Sequence, residues 1–397
     1  MSEINSLELE TLMSEMDPYA SEISNRWSEL ASAWQKYEAR VAETEKFVFA
    51  TTVNDTSNVQ GEYSHTTHIP KITEIYDRLK ANYAEGLVGR EDFFTFHGED
   101  QDSVVQERRQ KIEAYLRTKH RLRKTINKIK ELIDDWLFGN CFAEVVYVNE
   151  FHDDPDTGER HVVYQGPDIR VIELSDIRFN VLATDFRSTP KIVRAYKTFG
   201  GLEREVEQLP TALAAEAQRI LGKVKDLRSH YNKAPQDITD RYDSIACDGF
   251  GTWGTYMKSG VIEVLTFYGD IYNQETGEFL KNRKITIVDR KWTITNETIN
   301  TWDGKARIFH TGWRKRRDNI LGMGPMENIT GMQYRINHLE NSRADAFDKM
   351  LSPDLVIRGD VEIEDSENGS KTYSVYENGD ALVSVALARR RSLKFNS

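Results

Sequence analysis

A helical period that stops at a glycine and gives way at once to strand texture constrains this chain more than any other feature. Across residues 102–138 apolar side chains recur at helical steps, in Val105, Ile112, Leu116, Leu122, Ile126, Ile129, Ile133 and Leu137. That spacing predicts two helices or one bent helix. Gly139-Asn140 supplies the stop, and the apolar run over residues 141–148 predicts a buried strand bounded by a polar loop. A helix, a stop and a strand in that order point to an α+β fold.

The same alternation continues on either side. Trp27, Leu30, Trp34, Tyr37 and Val41 predict one long amphipathic helix over residues 1–46. Strands are expected at 170–174, 177–181 and 192–198, and a helix at 211–228 after Pro210. Residues 261–299 read as a small antiparallel module with a turn at Glu275-Thr276-Gly277. Its exit, Trp313-Arg314-Lys315-Arg316-Arg317, is the densest cationic turn in the sequence. After Gly324, Pro325 takes the favoured first helical position and Glu327 meets the positive helix end. The helix that starts there has the apolar stripe Ile329, Met332, Ile336, Leu339, Ala346, Phe347 and Met350, interrupted by Arg343, and Pro353 ends it. No internal repeat points to a solenoid.

Composition narrows the function classes. The 397 residues, 39% hydrophobic, suffice for two or three domains. No apolar run approaches the roughly 18 residues of a spanning helix, so no membrane contact is expected. Cys141 and Cys247 lie far apart without metal-like spacing, which fits free thiols in a reducing compartment. A net charge of −11 argues against non-specific coating of nucleic acid. It leaves room for a conduit, where loose contact permits sliding. The ten Lys or Arg against one Glu between Arg108 and Lys130 read as a solvated helix face or, alternatively, a nucleic-acid contact.

Motifs for chemistry are thin. A calcium loop starting at Asp154 would need a glutamate where Gln165 stands, so residues 153–159 read as a hairpin turn. The GxGxxG string from Gly249 to Gly254 lacks an apolar strand before it and a helix after it, and reads as a flexible loop. His65 and His68 form a histidine pair without a third ligand nearby in sequence, and Asp134-Asp135 point apart at a helix end. GxSxG, HExxH and phosphate-loop motifs are absent from the sequence. No catalytic residue, cofactor or metal ligand is assigned, and the chain is not expected to be an enzyme.

Three blocks carry a resemblance to a known family. They are Phe309-His310-Thr311-Gly312-Trp313-Arg314; Asp318-Asn319-Ile320-Leu321-Gly322-Met323-Gly324-Pro325-Met326-Glu327-Asn328; and Gln333-Tyr334-Arg335-Ile336-Asn337-His338-Leu339-Glu340-Asn341. With the helix-to-strand step over residues 135–145, they resemble the portal, or head-to-tail connector, proteins of tailed bacteriophages, in the family's order and over roughly residues 45–380. The resemblance implies a helical wing with mixed strands over 1–200 and a helical stem-like segment with a loop over 201–258. It implies a small antiparallel β clip module over 259–318, a stem helix and channel-facing region over 319–352, and a partial wing return with an atypical tail over 353–397. Within these, Gly324 and Pro325 would start the stem helix, Ile329, Met332, Ile336 and Leu339 would form its stripe, and Arg314, Lys315, Arg316 and Arg317 are candidates for contact with DNA or the packaging motor.

The implied function is a ring, commonly a dodecamer, at one capsid vertex of the virion, assembled in the host cytoplasm. Double-stranded DNA would pass through it. Its partners would be further copies of itself, terminase, head-tail adaptors, and capsid and scaffolding protein. A closing ring needs two different complementary surfaces on each subunit, and Trp27, Trp34 and Trp302 are candidates, with a buried core as the alternative for each. Other readings are a nucleic-acid-processing phage enzyme, or a capsid or tail scaffold that never touches DNA. Portals continue through a helical crown, whereas the likeness fades after residues 376–380, as truncation or a changed reading frame would produce. With no acid after Asp380 to balance Arg389, Arg390, Arg391 and Lys394, residues 381–397 are expected to pack poorly, or else to form a short strand over 382–387.

Overall fold

The computed structural model describes residues 11–49, 64–65, 67–90, 93–99, 102–154, 160–233, 246–247, 250–272, 277–315, 317, 319–351, 360–365, 371–377 and 380–387. Two compact units divide the chain, one of Met1–Thr52 with Ile69–Arg335, the other of Val53–His68 with Ile336–Ser397. The fold is mixed α+β with antiparallel sheets.

In the first unit, helices α1 (Pro18–Phe49), α2 (Lys71–Val88), α3 (Ser103–Leu122) and α4 (Thr125–Leu137) precede the strands. The helix expected over 1–46 thus begins only at Pro18, after a helical turn at 11–14 and a break; residues 1–10 lie outside the described set. Asp17 anchors that break, its amide donating to Lys291 O at 2.8 Å. Of the two readings for 102–138, two helices are found, separated at Lys124, whose backbone is left-handed at φ 50.

Strands β1 (Asn140–Asp153) and β2 (Arg160–Ile172) form a long hairpin, which agrees with the turn read at 153–159, although residues 155–159 lie outside the described set. The strand expected to be buried throughout is buried at Cys141, Phe142 and Glu144, but Tyr147 is exposed. The cause is pairing: β10 (Ile308–Gly312) flanks β1 only from Asn140 to Glu144, and beyond that β2 is its one strand partner among the described residues.

A second sheet orders β3 (Ile177–Phe179), β4 (Lys191–Thr198), β7 (Val261–Tyr272), β8 (Phe279–Val288) and β9 (Trp292–Thr298), all antiparallel. The last three are the β-rich stretch read over 261–299. They are not a separate module, because β7 pairs along its length with β4 from Lys191↔Tyr268 to Thr198↔Val261.

Between β4 and β7 lie α5 (Phe199–Glu207), α6 (Thr211–Lys233), the paired β5 (Ala246–Cys247) and β6 (Gly251–Thr252), and α7 (Trp253–Lys258). The flexible loop expected at 249–254 is corrected for its described part. Gly251, at φ +75, turns the chain into β6, the Thr252 hydroxyl accepts from Thr255 N to cap α7, and Phe250 and Trp253 pack on the core. With only six residues in α7, no dinucleotide fold results.

α1 is the spine of this unit. Ile23 and Trp27 pack on the five-stranded sheet with Leu265, Phe267 and Ile287. Seven residues on, Trp34 packs with Phe142, Phe179 and Ile308, and its indole N–H donates to Phe179 O at 3.1 Å. Phe47 and Val48 join Ile72, Tyr76, Ile133, Leu137 and Met326. Trp27 and Trp34 are therefore core residues and not subunit contacts, with the buried Arg178 guanidinium over both rings at 5.0 and 5.1 Å. Trp302, in contrast, is 98% exposed.

Helix α8 (Pro325–Leu351) leaves the first unit and enters the second. The second unit also contains the meander β13 (Asp360–Asp365), β14 (Lys371–Glu377) and β15 (Asp380–Leu387). For the tail expected from 381, the strand alternative is the one found up to Leu387, where the backbone pairs with β14. Residues 388–397, which hold the three arginines, lie outside the described set.

One buried cation gives the first unit a measurable pH signature. Lys191 is 2% exposed, its Nζ donates to Phe186 O at 2.9 Å, and burial pushes its pKa down to about 8. Between that value and the ordinary lysine value the unfolded chain holds a proton that the folded chain has released, so folding is favoured as pH rises. Relative to Lys191→Met, the wild type should gain about 2 kcal/mol of stability between pH 7.5 and 9.5. Urea melts at both values check this; a constant difference would show that Lys191 titrates normally.

Candidate functional site

The segments that carry the resemblance meet at one junction. Gly139, at φ +127, ends the turn after α4, and a Cβ there would stand 2.9 Å from Gly322 O and 3.0 Å from Gly324 N. A Cβ on Gly324 would meet only backbone, Leu137 O at 2.5 Å, Phe138 C at 2.6 Å and Gly139 N at 2.8 Å. Gly312 faces Gly322 in the same way, with 3.2 Å between its Cβ position and Gly322 Cα. Glycine is needed here because three backbone segments touch.

Asn140, 4% exposed, ties the junction together. Its Oδ1 accepts from Gly322 N at 2.7 Å and from His310 Nε2 at 2.8 Å. Its Nδ2 donates to Gly322 O at 3.0 Å and to the Tyr37 hydroxyl. Burial, with the charge of Lys315 nearby, pushes the His310 pKa down to about 4, so the imidazole is neutral at pH 7 and can donate through Nε2 while it stacks on Phe142 at 4.8 Å. Trp313 N donates to Gly139 O at 2.9 Å, and the Trp313 ring lies 4.4 Å from that of Trp136.

The basic turn projects from this junction. β11 (Arg314–Lys315) pairs with β12 (Gly322–Met323), which leaves Arg314, Lys315 and Arg317 exposed; Arg316 lies outside the described set. None of the three exposed cations forms an ion pair among the described residues. Beside them a cleft of about 610 Å³ is lined by Asp185, Arg187, Phe309, His310, Lys315 and Arg317, among others. Arg187 is paired with Asp303 at 2.6 Å, and Asp185 with the Ser188 hydroxyl at 2.9 Å.

Gly324 and Pro325 begin α8 as expected, and Glu327 in its first turn meets Arg40 at 3.2 Å. The face of the helix differs from a simple reading of its stripe. Ile329 and Ile336 are half-buried, while Met332 is 66% and Leu339 57% exposed. Besides Met326 in the first turn, the residues of α8 buried to 1% or less are Gln333, Asn337 and Asn341. In the first unit, Gln333 Oε1 accepts from Ile72 N at 3.0 Å and its amide donates to Ile69 O at 2.5 Å. In the second, Asn341 Oδ1 accepts from Thr67 N at 2.8 Å, and Asn337 Nδ2 meets His68 Nδ1 at 3.0 Å. Sequence reasoning missed these amides and Asn140. The four-residue spacing of Gln333, Asn337 and Asn341 is the signal that could have found the amide face of the helix.

The remaining motifs have local partners. His65 Nε2 meets Asp348 at 3.0 Å and His68 meets Asn337, so the pair shares no ligand. Asp134 accepts from the Tyr76 hydroxyl at 2.9 Å and from Lys80 at 2.8 Å. Burial first, then the charges of Asp134 and Glu173, raises the Asp135 pKa to about 7. Among the described residues no group of three or more His, Cys, Asp or Glu could hold a metal ion, and no helix is long and apolar enough to cross a membrane. Within the basic run, Arg117 pairs with Glu113, Lys128 with Asp168, and Arg123 with both Glu150 and Asp168. No protein-family model and no curated protein matches the sequence.

Proposed function

We propose that this chain is a portal subunit of a tailed bacteriophage, a ring-forming channel for DNA packaging and ejection that performs no chemistry itself. The observation that carries the reading is the junction. Blocks around Asn140, Gly312, Gly322 and Gly324, which carry the likeness while lying far apart in sequence, converge through one buried amide and close glycine contacts. A long helix leaves that junction with apolar side chains in solvent, as a subunit awaiting neighbours would have. The basic turn, whose Arg314, Lys315 and Arg317 form no ion pair among the described residues, is the surface offered to DNA or to the terminase. Adaptor, capsid and scaffolding proteins are the further partners in this reading, and the virion vertex is its location.

Negative-stain images of concentrated purified protein test it. Closed rings with an open centre are expected. A species that stays strictly monomeric by light scattering at high concentration would count against the ring and leave a non-channel scaffold role.

A further inference from the structure

Where α3 turns into α4, a cavity of about 440 Å³ opens whose wall carries Arg117, His120, Arg121 and Lys124 beside Phe93 and Ile126. Small-molecule sites have volumes of roughly 300–1,000 Å³. No Asp or Glu among the described residues lines the cavity. Glu113 answers Arg117, but Arg121 and Lys124 form no ion pair among the described residues.

Lys124 is an expensive choice at its position. It holds a left-handed backbone, φ 50, that Gly or Asn adopts at lower cost. It also places a positive charge at the positive end of α4, where no side chain caps the first amides. An anion in the cavity would turn that repulsion into attraction. On one side Phe93 packs edge-on against Phe94 and His120, at 5.1 and 5.9 Å, and supplies an apolar wall.

We propose that this elbow binds a phosphate ester. Arg121 and Lys124, both exposed on the cavity wall, hold the phosphate, and the organic part lies along Phe93 and Ile126. Opposite charge and an apolar wall together select this chemistry over a simple anion. The ester could be a free nucleotide or part of a nucleic-acid strand. The site does not depend on the portal reading.

Calorimetric titration of the full chain with inorganic phosphate, ATP and a short DNA duplex tests the proposal. Lys124→Gly removes the charge while suiting the left-handed backbone, so folding is retained. Arg121→Ser removes an exposed guanidinium. Arg108→Ser and Lys130→Ser remove equally exposed cations from the same two helices, away from the cavity wall. Both cavity variants should weaken binding at least tenfold, with the two controls within twofold of wild type. ATP binding that inorganic phosphate displaces identifies a free nucleotide. Duplex binding with the same variant pattern and no competition from ATP identifies a strand phosphate. No binding of any probe at millimolar concentration, or equal losses in the controls, overturns the proposal.

Discussion

Gly324→Ala is expected to destabilise the first unit by about 3 kcal/mol or more, among the largest effects of any single methyl group in this chain. The added carbon would lie 2.5 to 2.8 Å from three backbone atoms at the end of α4, none of which can rotate aside as a side-chain tip would. Relief requires the start of α8 to move away from Gly139, which would strain the hydrogen bonds of Asn140 to Gly322. Gly331→Ala, about two turns further on and inside α8, is the matched control. Nothing lies within 4 Å of its added carbon. There the helix should gain about 0.5–1 kcal/mol, because alanine loses less backbone entropy than glycine in a helix. Thermal melts of the two variants should therefore move in opposite directions. Equal shifts would mean that the junction is looser than its glycine contacts imply.

These glycines also mark the limit of what the sequence made legible. Gly139-Asn140 and Gly324-Pro325 were readable as a helix stop and a helix start, since both signals are local. That the two meet was not readable, because contact between residues so far apart leaves no trace in the spacing of either. The same reason accounts for the sheet. Residues 261–299 showed strand texture, yet the partner of β7 is β4, on the far side of three helices. Trp27 and Trp34 showed the right period for one face of a helix, but period alone does not say whether the face meets a core or another subunit. Their burial against Leu265 and Phe179 settles that for this chain. The segment 250–258 was misread because its order comes from Phe250 and Trp253 packing on the core, not from propensity.

Helix α8 is the case where the period is visible in the sequence and the buried face is not. At about 100° per residue, Gln333, Asn337 and Asn341 lie roughly 100–180° around the helix from Met332, Leu339 and Met350. The amide face is the buried one because it serves main-chain groups: Ile72 N in the first unit, Thr67 N in the second. An apolar side chain could not satisfy those groups, so the apolar stripe is left to solvent. Two opposite outcomes follow for the second unit. Asn341→Leu, though it makes the helix more apolar, should destabilise by about 1 kcal/mol, since the buried Asn341 amide gives up its part-buried hydrogen bond with Thr67 N–H. Leu339→Glu with Phe347→Glu, at positions 57% and 51% exposed, should stay within about 0.5 kcal/mol of wild type as a monomer. In the ring reading the same pair should abolish closed rings in negative-stain images, because two charges would enter the interface without partners. Unaltered rings would exclude these positions from the subunit contact, while a glutamate pair less stable than Asn341→Leu would reverse the buried and exposed faces assigned to α8.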